Sequence, residues 1–327
     1  MAHLTRWGIL GAGKFALQHM GPAIHAAQGA KLVALGTSTE EKADPFKAFC
    51  PDLEVETDYD ALLARPDIDA VYIPLPNTLH VEWTRRALRA GKHVLCEKPI
   101  AMRTAEIDSL IALRDETGLL AAEAYMILHH PQWRRAREIY QAGTLGDLVH
   151  VQGHFAYNNA ADPGNIRNRP ETGGGAIRDI GVYPYGATRF VTGQEPWAVR
   201  AKIGWENRVD TYSRVSADFD GFGAEFTVSM RMSLFQEMVF HGSDAVMRLS
   251  APFNAGSYGE AEVELRTKEG RFTRERFTTA QQYELQVEAF GRAIHEGEAY
   301  PCPLEFSRGT QEMIDRIFAS EVAGEVG

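Results

Sequence analysis

Cysteine is scarce in this chain. Cys50, Cys96 and Cys302 are spread over 327 positions. Odd in number and far apart, they form neither a disulfide framework nor a metal-ligand pattern. Long apolar runs are missing too. The longest, residues 118–128, is broken by Glu123 and falls short of the roughly 20 residues a membrane-spanning helix needs. The first residues pass from Leu4 into a brief apolar run and then glycines, without the apolar stretch and cleavage site of a secretory signal. Concentrated positive charge is also absent. Thirty-four Lys and Arg against 44 Asp and Glu leave a net charge of −10, and basic residues gather only in pairs such as Arg85-Arg86 and Arg134-Arg135. Nucleic-acid binding requires a dense positive surface. These absences point to a cytoplasmic protein with no membrane partner, no nucleic-acid partner and no metal site.

What is present is an ordinary folded composition, 44% hydrophobic and 24% charged. The length exceeds one compact core and suits two domains. A change of rhythm near residue 122 divides the chain into 1–122 and 123–327. In the first part, apolar runs at Trp7–Leu10, Lys31–Leu35, Ala70–Pro74, His93–Cys96 and Leu119–Ala124 alternate with helical patterns at Lys14–Ala27, Leu79–Ala90 and Ile107–Thr117. That alternation predicts an α/β Rossmann domain with a parallel sheet. In the second part, Val149–Tyr157, Ala198–Ile203, Tyr212–Phe219, Gly223–Met232, Ala245–Leu249 and Ala261–Thr267 alternate or are β-branched. They predict an α+β domain with a large, mostly antiparallel, open-faced sheet. Tyr283, Val287, Phe290 and Ile294 share one helix face and read as core.

Gly11-Ala12-Gly13-Lys14-Phe15-Ala16 follows the first strand and opens the first helix. Gly11 permits the tight turn, Gly13 lets a pyrophosphate approach the backbone, and Ala16 keeps helix and strand close. A glycine turn serving packing alone has the same six letters; the strand before and helix after favour dinucleotide binding. The second strand ends in Gly36-Thr37-Ser38-Thr39, with no acid at the tip for a ribose 2′-hydroxyl. Thr37 and Ser38 leave room for a 2′-phosphate and Lys42 is within reach of it, although Glu40 and Glu41 follow closely and no arginine is present there. NADP is the preferred cofactor and NAD the alternative.

Two further clusters fall at the carboxyl edge of the parallel sheet, where ligands bind. Pro76-Asn77-Thr78-Leu79-His80 follows one strand, and Glu97-Lys98-Pro99 follows the next. An exposed turn is the plain alternative for Glu97-Lys98-Pro99; its position at this edge makes Lys98 a catalytic candidate. The third cluster is Gly173 to Tyr183, in which Asp179 and Tyr183 stand four apart and share a helix face. Pro184 implies a helix that starts near Asp179 or kinks at Tyr183. The alternative there is a glycine turn capped by Asp179, with Tyr183 in the core.

Together these motifs, with Gly143-Thr144-Leu145-Gly146 and Tyr283 to Phe290, resemble the Gfo/Idh/MocA family of pyridine-nucleotide oxidoreductases over nearly the whole length. Glu123-Ala124-Tyr125-Met126, His130-Pro131 and Asn165-Ile166-Arg167 are similar to the branch that holds dimeric dihydrodiol dehydrogenases and NADP-linked D-xylose dehydrogenases. The resemblance implies hydride transfer between the nicotinamide and a sugar or cyclic diol carbinol: aldose to lactone, or trans-dihydrodiol oxidation. Keto-sugar reduction at the same site, or a non-catalytic NADP(H)-binding sensor, are the alternatives. Tyr183 would take the substrate proton, Lys98 would favour its phenolate, and Asp179 would hold substrate hydroxyls or orient Lys98. Glu123, Tyr125, Asn165 and Arg167 are candidate substrate contacts. Glu97, Pro76, Asn77 and His80 would line the nicotinamide pocket. A sheet with one uncovered apolar face would need a partner, and the resemblance implies a homodimer or homotetramer.

Overall fold

The computed structural model describes residues Leu4–Glu321. The chain divides into two compact units, residues 1–129 with 281–308, and residues 130–280 with 309–327. The sequence places 123–129 and 281–308 with the second domain; in the structure both stretches fold with the first unit.

The first unit holds β1 (Thr5–Leu10), β2 (Ala30–Gly36), β3 (Glu54–Glu56), β4 (Ala70–Ile73), β5 (His93–Cys96) and β6 (Ala121–Glu123). These form one sheet in the order β3-β2-β1-β4-β5-β6, with every pairing parallel. The order reverses between β1 and β4, the switch point at which α/β sheets open a crevice for a ligand. The intervening helices are α1 (Gly21–Ala26), α2 (Asp44–Lys47), α3 (Tyr59–Ala64), α4 (His80–Arg89) and α5 (Thr104–Thr117). A wider π turn over Ala16–Met20 leads into α1, so the helix expected over Lys14–Ala27 is present with a widened second turn. Val71, Ile73, Val94, Leu110 and Ala121 meet in an apolar core between sheet and helices. Glu54–Glu56 gave no strand signal because its two acids flank a single apolar residue at an edge.

The second unit carries α6 (Pro131–Gln141), β7 (Leu148–Asn158), α7 (Val182–Thr192), β8 (Ala198–Glu206), β9 (Val209–Asp218), β10 (Gly223–Ser229), β11 (Arg231–Gly242), β12 (Ala245–Leu249), β13 (Glu262–Thr267) and β14 (Phe272–Arg276). The strands make one sheet in the order β14-β13-β12-β11-β7-β10-β9-β8. Within this sheet, among the described residues, only β7 and β10 pair in parallel. The segment expected as one strand over Gly223–Met232 is two. The Ser229 hydroxyl accepts the Arg231 N–H at 3.0 Å, a local turn after which β11 pairs with the opposite edge of β7.

The exposed face of this sheet is not the apolar surface expected. Arg274 and Arg248 both pair with Glu264, at 2.7 and 3.1 Å, and Arg276 pairs with Glu262 at 2.9 Å. Arg248 also bonds Glu237. Exposed apolar side chains gather at the start of β11, in Met232, Leu234 and Phe235. Two helices close the chain, α8 (Gln282–Glu296) and α9 (Leu304–Ala319). In the first unit, Phe290 of α8 packs on Trp7 at 5.1 Å between ring centres, and both are fully buried. The stripe containing Val287 and Phe290 is core, as its spacing indicates.

Candidate active site

In the first unit, the loop after β1 turns at Gly11, whose φ of +115° is a conformation that side chains with a Cβ rarely adopt. Its N–H donates to Gly36 O at 2.8 Å, fixing the loop to the end of β2. A Cβ at Gly13 would stand 3.5 Å from Pro74 O, filling the space between the loop and the carboxyl end of β4. Ala16 is fully buried. The loop therefore has the bare backbone that a pyrophosphate requires. Phe15 is engaged with His19 and Tyr283, at 4.9 and 5.7 Å between ring centres, which makes it a packing residue of this loop. Lys14 is exposed at the first helical turn. At the end of β2, Thr37 is buried and its N–H donates to Glu56 O, while Lys42 donates to the Ser38 hydroxyl at 2.8 Å. These two small residues and one cation fit a 2′-phosphorylated ribose.

The Lys98-Pro99 turn, a cis peptide, is braced from three sides. The Tyr72 hydroxyl donates to Glu97 Oε1 at 2.5 Å, and Glu97 Oε2 accepts the Lys98 N–H at 3.2 Å. Glu123 Oε1 accepts the Ile100 N–H at 2.9 Å. His80 places Nδ1 at 2.7 Å from Pro99 O and Nε2 at 2.7 Å from Leu75 O. Burial and the neighbouring Glu97 charge hold the Tyr72 phenol well above its usual range. Burial, helped by the Lys98 charge, lowers the His80 imidazole pKa against the pull of the two carbonyls. Asn77 opens the short turn before α4, and Pro76 precedes it.

Glu123 and Tyr125 are buried; the first braces the lysine turn, and the second packs near Phe306 at 6.0 Å.

In the second unit, Gly173 to Tyr183 forms a glycine loop, a π turn over Ile177–Gly181 and the first residues of α7. The helix is thus established before Asp179, and Pro184 falls within its first α turns. Asp179 is buried, and its Oδ2 accepts from the Tyr157 hydroxyl and from Arg167 Nε, both at 2.8 Å. The Asp179 charge raises the Arg167 pKa, and burial followed by that same charge raises the Tyr157 phenol. Tyr183 is 5% exposed. Its ring packs against both Phe155 and Phe253, at 5.6 and 5.5 Å, and these two stack on each other at 5.1 Å. Asn165 caps the short turn 166–168, accepting the Arg167 N–H and donating to Asp162; it shapes the loop that delivers Arg167. Tyr157 escaped the sequence reading because it looked like the end of a strand, and its partners are 10 and 22 residues away.

Among the described residues, no helix is long and apolar enough to cross a membrane. Residues 5–125 match the oxidoreductase family with an NAD-binding Rossmann fold, and residues 133–248 match the GFO/IDH/MocA C-terminal domain. An uncharacterized oxidoreductase of Rhizobium meliloti is 36% identical, the alignment covering 98% of each chain. The D-xylose 1-dehydrogenase (NADP+) of Haloferax volcanii is 31% identical over 97% of this chain and 98% of its own. The dTDP-3,4-didehydro-2,6-dideoxy-α-D-glucose 3-reductase of Actinomadura kijaniata is 32% identical over 91% of this chain and 90% of its own. A 3-ketoreductase from Actinomadura kijaniata, crystallised with NADP and TDP-benzene, superposes with a TM-score of 0.89 at 29% identity, covering 98% of each chain. Solved forms of that ketoreductase include one with a lysine replaced and one with a tyrosine replaced.

Proposed function

This chain belongs to the Gfo/Idh/MocA family of oxidoreductases, and from that premise we propose that it moves hydride between NADP and a carbinol carbon of a sugar. The observation that carries the reading is the Asp179 carboxylate, held by Tyr157 and Arg167 one helical turn from Tyr183. NADP supplies the hydride acceptor in oxidation, and its reduced form the donor in reduction. The Lys42–Ser38 contact supports NADP over NAD, as do the NADP-linked relatives.

Tyr183 takes the proton from the substrate hydroxyl in oxidation and returns one to the carbonyl oxygen in reduction. A free phenol titrates near about 10, so its work at neutral pH needs positive charge. The Lys98 ammonium supplies it, and its braced turn limits where the amine can go. Asp179 accepts substrate hydroxyl protons as hydrogen bonds. Arg167 offsets its negative charge, which would otherwise oppose a phenolate four residues along. Tyr183→Phe and Lys98→Met should each cost about 10²- to 10⁴-fold in kcat, with NADPH binding retained in a fluorescence titration. Near-normal kcat in either variant would remove that residue from its role.

A second reading, reduction of a nucleotide-linked keto-sugar, is favoured by the dTDP-keto-sugar 3-reductase relatives and the ketoreductase structures. NADP+ with D-xylose or D-glucose, compared with NADPH and a dTDP-keto-sugar, separates the two. A sensor would bind NADPH and turn over neither. We place the protein in the cytoplasm as a homodimer or homotetramer. Three buried thiols that are not joined in disulfides and the exposed apolar start of β11 support this.

A further inference from the structure

Asp210, on β9, takes no part in the scheme above, yet it is 1% exposed. Its Oδ2 accepts the Ile177 N–H at 2.7 Å, and the Ala176 N–H also stabilises the carboxylate. Its Oδ1 occupies the place of a side chain at Gly175: a Cβ there would stand 1.9 Å away, and the φ of +129° also favours glycine. The carboxylate therefore sits at the start of the continuous helix that carries Asp179 and Tyr183. The first N–H groups of a helix have no partner within it and favour an anion. Here the anion comes from a neighbouring strand, 33 residues away in sequence.

We propose that Asp210 is a positioning residue for hydride transfer, fixing the first turn of the helix that presents Asp179 and Tyr183. The inference rests on the assignment of Tyr183 as the proton-transfer group. A carboxylate offers two accepting oxygens, whereas a protonated acid or an amide offers one and turns a donor toward the helix N–H groups. Loss of the charge therefore loosens the turn without emptying the site. The groups acting on Asp210 are Arg178 on the same helix, whose guanidinium lies 4.4 Å from the Phe318 ring centre, and the Tyr185 phenol of α7. Burial raises the Asp210 pKa to about 7, so the ionised cap is strained in the fold and is kept where it costs stability. Such a cost is expected at functional positions.

The test uses the full chain and Asp210→Asn. Amide exchange of peptides spanning 176–183 should be about tenfold faster in the variant. With D-xylose and NADP+, kcat should fall about tenfold or more while KM for NADP+ stays within about twofold. The melting temperature should not fall. Unchanged exchange overturns the proposal, and so does a parallel drop in kcat and melting temperature, which marks a purely structural cap. If Asp210→Asn is insoluble, Asp210→Glu, which displaces the carboxylate from the helix start, takes its place, and unchanged exchange and kcat in that variant refute the proposal. Turnover surviving in Tyr183→Phe, or absent in the wild type, counts against the assigned chemistry instead, and leaves the exchange result standing.

Discussion

His80 illustrates how the turns of this site are tied to one another by buried side chains. Both of its nitrogens face carbonyl oxygens at 2.7 Å, and a neutral imidazole carries one proton for the two. It ties the loop after β4 to the turn that presents Lys98. His80→Ala removes the one donor that the two carbonyls share, a loss of about 1–3 kcal/mol for an unsatisfied buried group. We expect a lower denaturation midpoint and a larger fall in kcat than in NADPH affinity. An equal fall in both would make His80 a cofactor contact. The sign of its pH effect follows from its lowered pKa: the folded form prefers the neutral ring. That contribution to stability is present above the unfolded value near 6.5 and is lost as pH falls through the lower folded value. At this scale the motifs that carry Lys98, Asp179 and Tyr183 stand out in the sequence because they are local. Tyr157, Tyr72 and Asp210 do not, since each acts on a residue that only the tertiary fold brings near, at separations of 22, 25 and 33.

At the scale of elements, the glycine loop and the capped helix show what the backbone contributes. Gly11→Ala forces a Cβ residue into φ +115° and to within 3.0 Å of the Leu75 side chain. We expect NADPH affinity to fall about tenfold or more, with about 1–2 kcal/mol lost in stability. Retained affinity in a calorimetric titration would show that the loop tolerates a side chain and does not cradle the cofactor. For Asp210 the linkage has the opposite sign to that of an ordinary paired carboxylate. Because its folded pKa is raised, its contribution to stability is greatest in acid and declines as pH rises from about 4 to about 7. The parallel strands of the first sheet other than β3 were legible from their apolar runs. β11 and β14 were not: β11 opens with exposed apolar residues and polar breaks, and β14 is an edge strand of charged residues, Phe272–Arg276. The π turn before Tyr183 was also invisible, because a widened turn has no period of its own in the sequence.

At the scale of the whole molecule, the open face of the second sheet carries the expectation of self-association. Its ion-pair ladder is compatible with a wet, polar interface, and the exposed Met232, Leu234 and Phe235 offer the apolar part. Leu234→Glu should shift light-scattering mass toward the monomer while leaving the melting temperature of the dilute protein little changed. A wild type that is monomeric at all concentrations would contradict the oligomer.

The central claim is that this chain performs NADP-linked oxidoreduction at a sugar carbon through Tyr183. Nicotinamide absorbance, followed with NADP+ and a panel of aldoses and with NADPH and keto-sugars, tests it most directly when wild type and Tyr183→Phe are run side by side. We expect a substrate on which the wild type turns over and the variant is slowed at least about 10²-fold with cofactor binding intact. Equal rates for the two proteins on that substrate would contradict it.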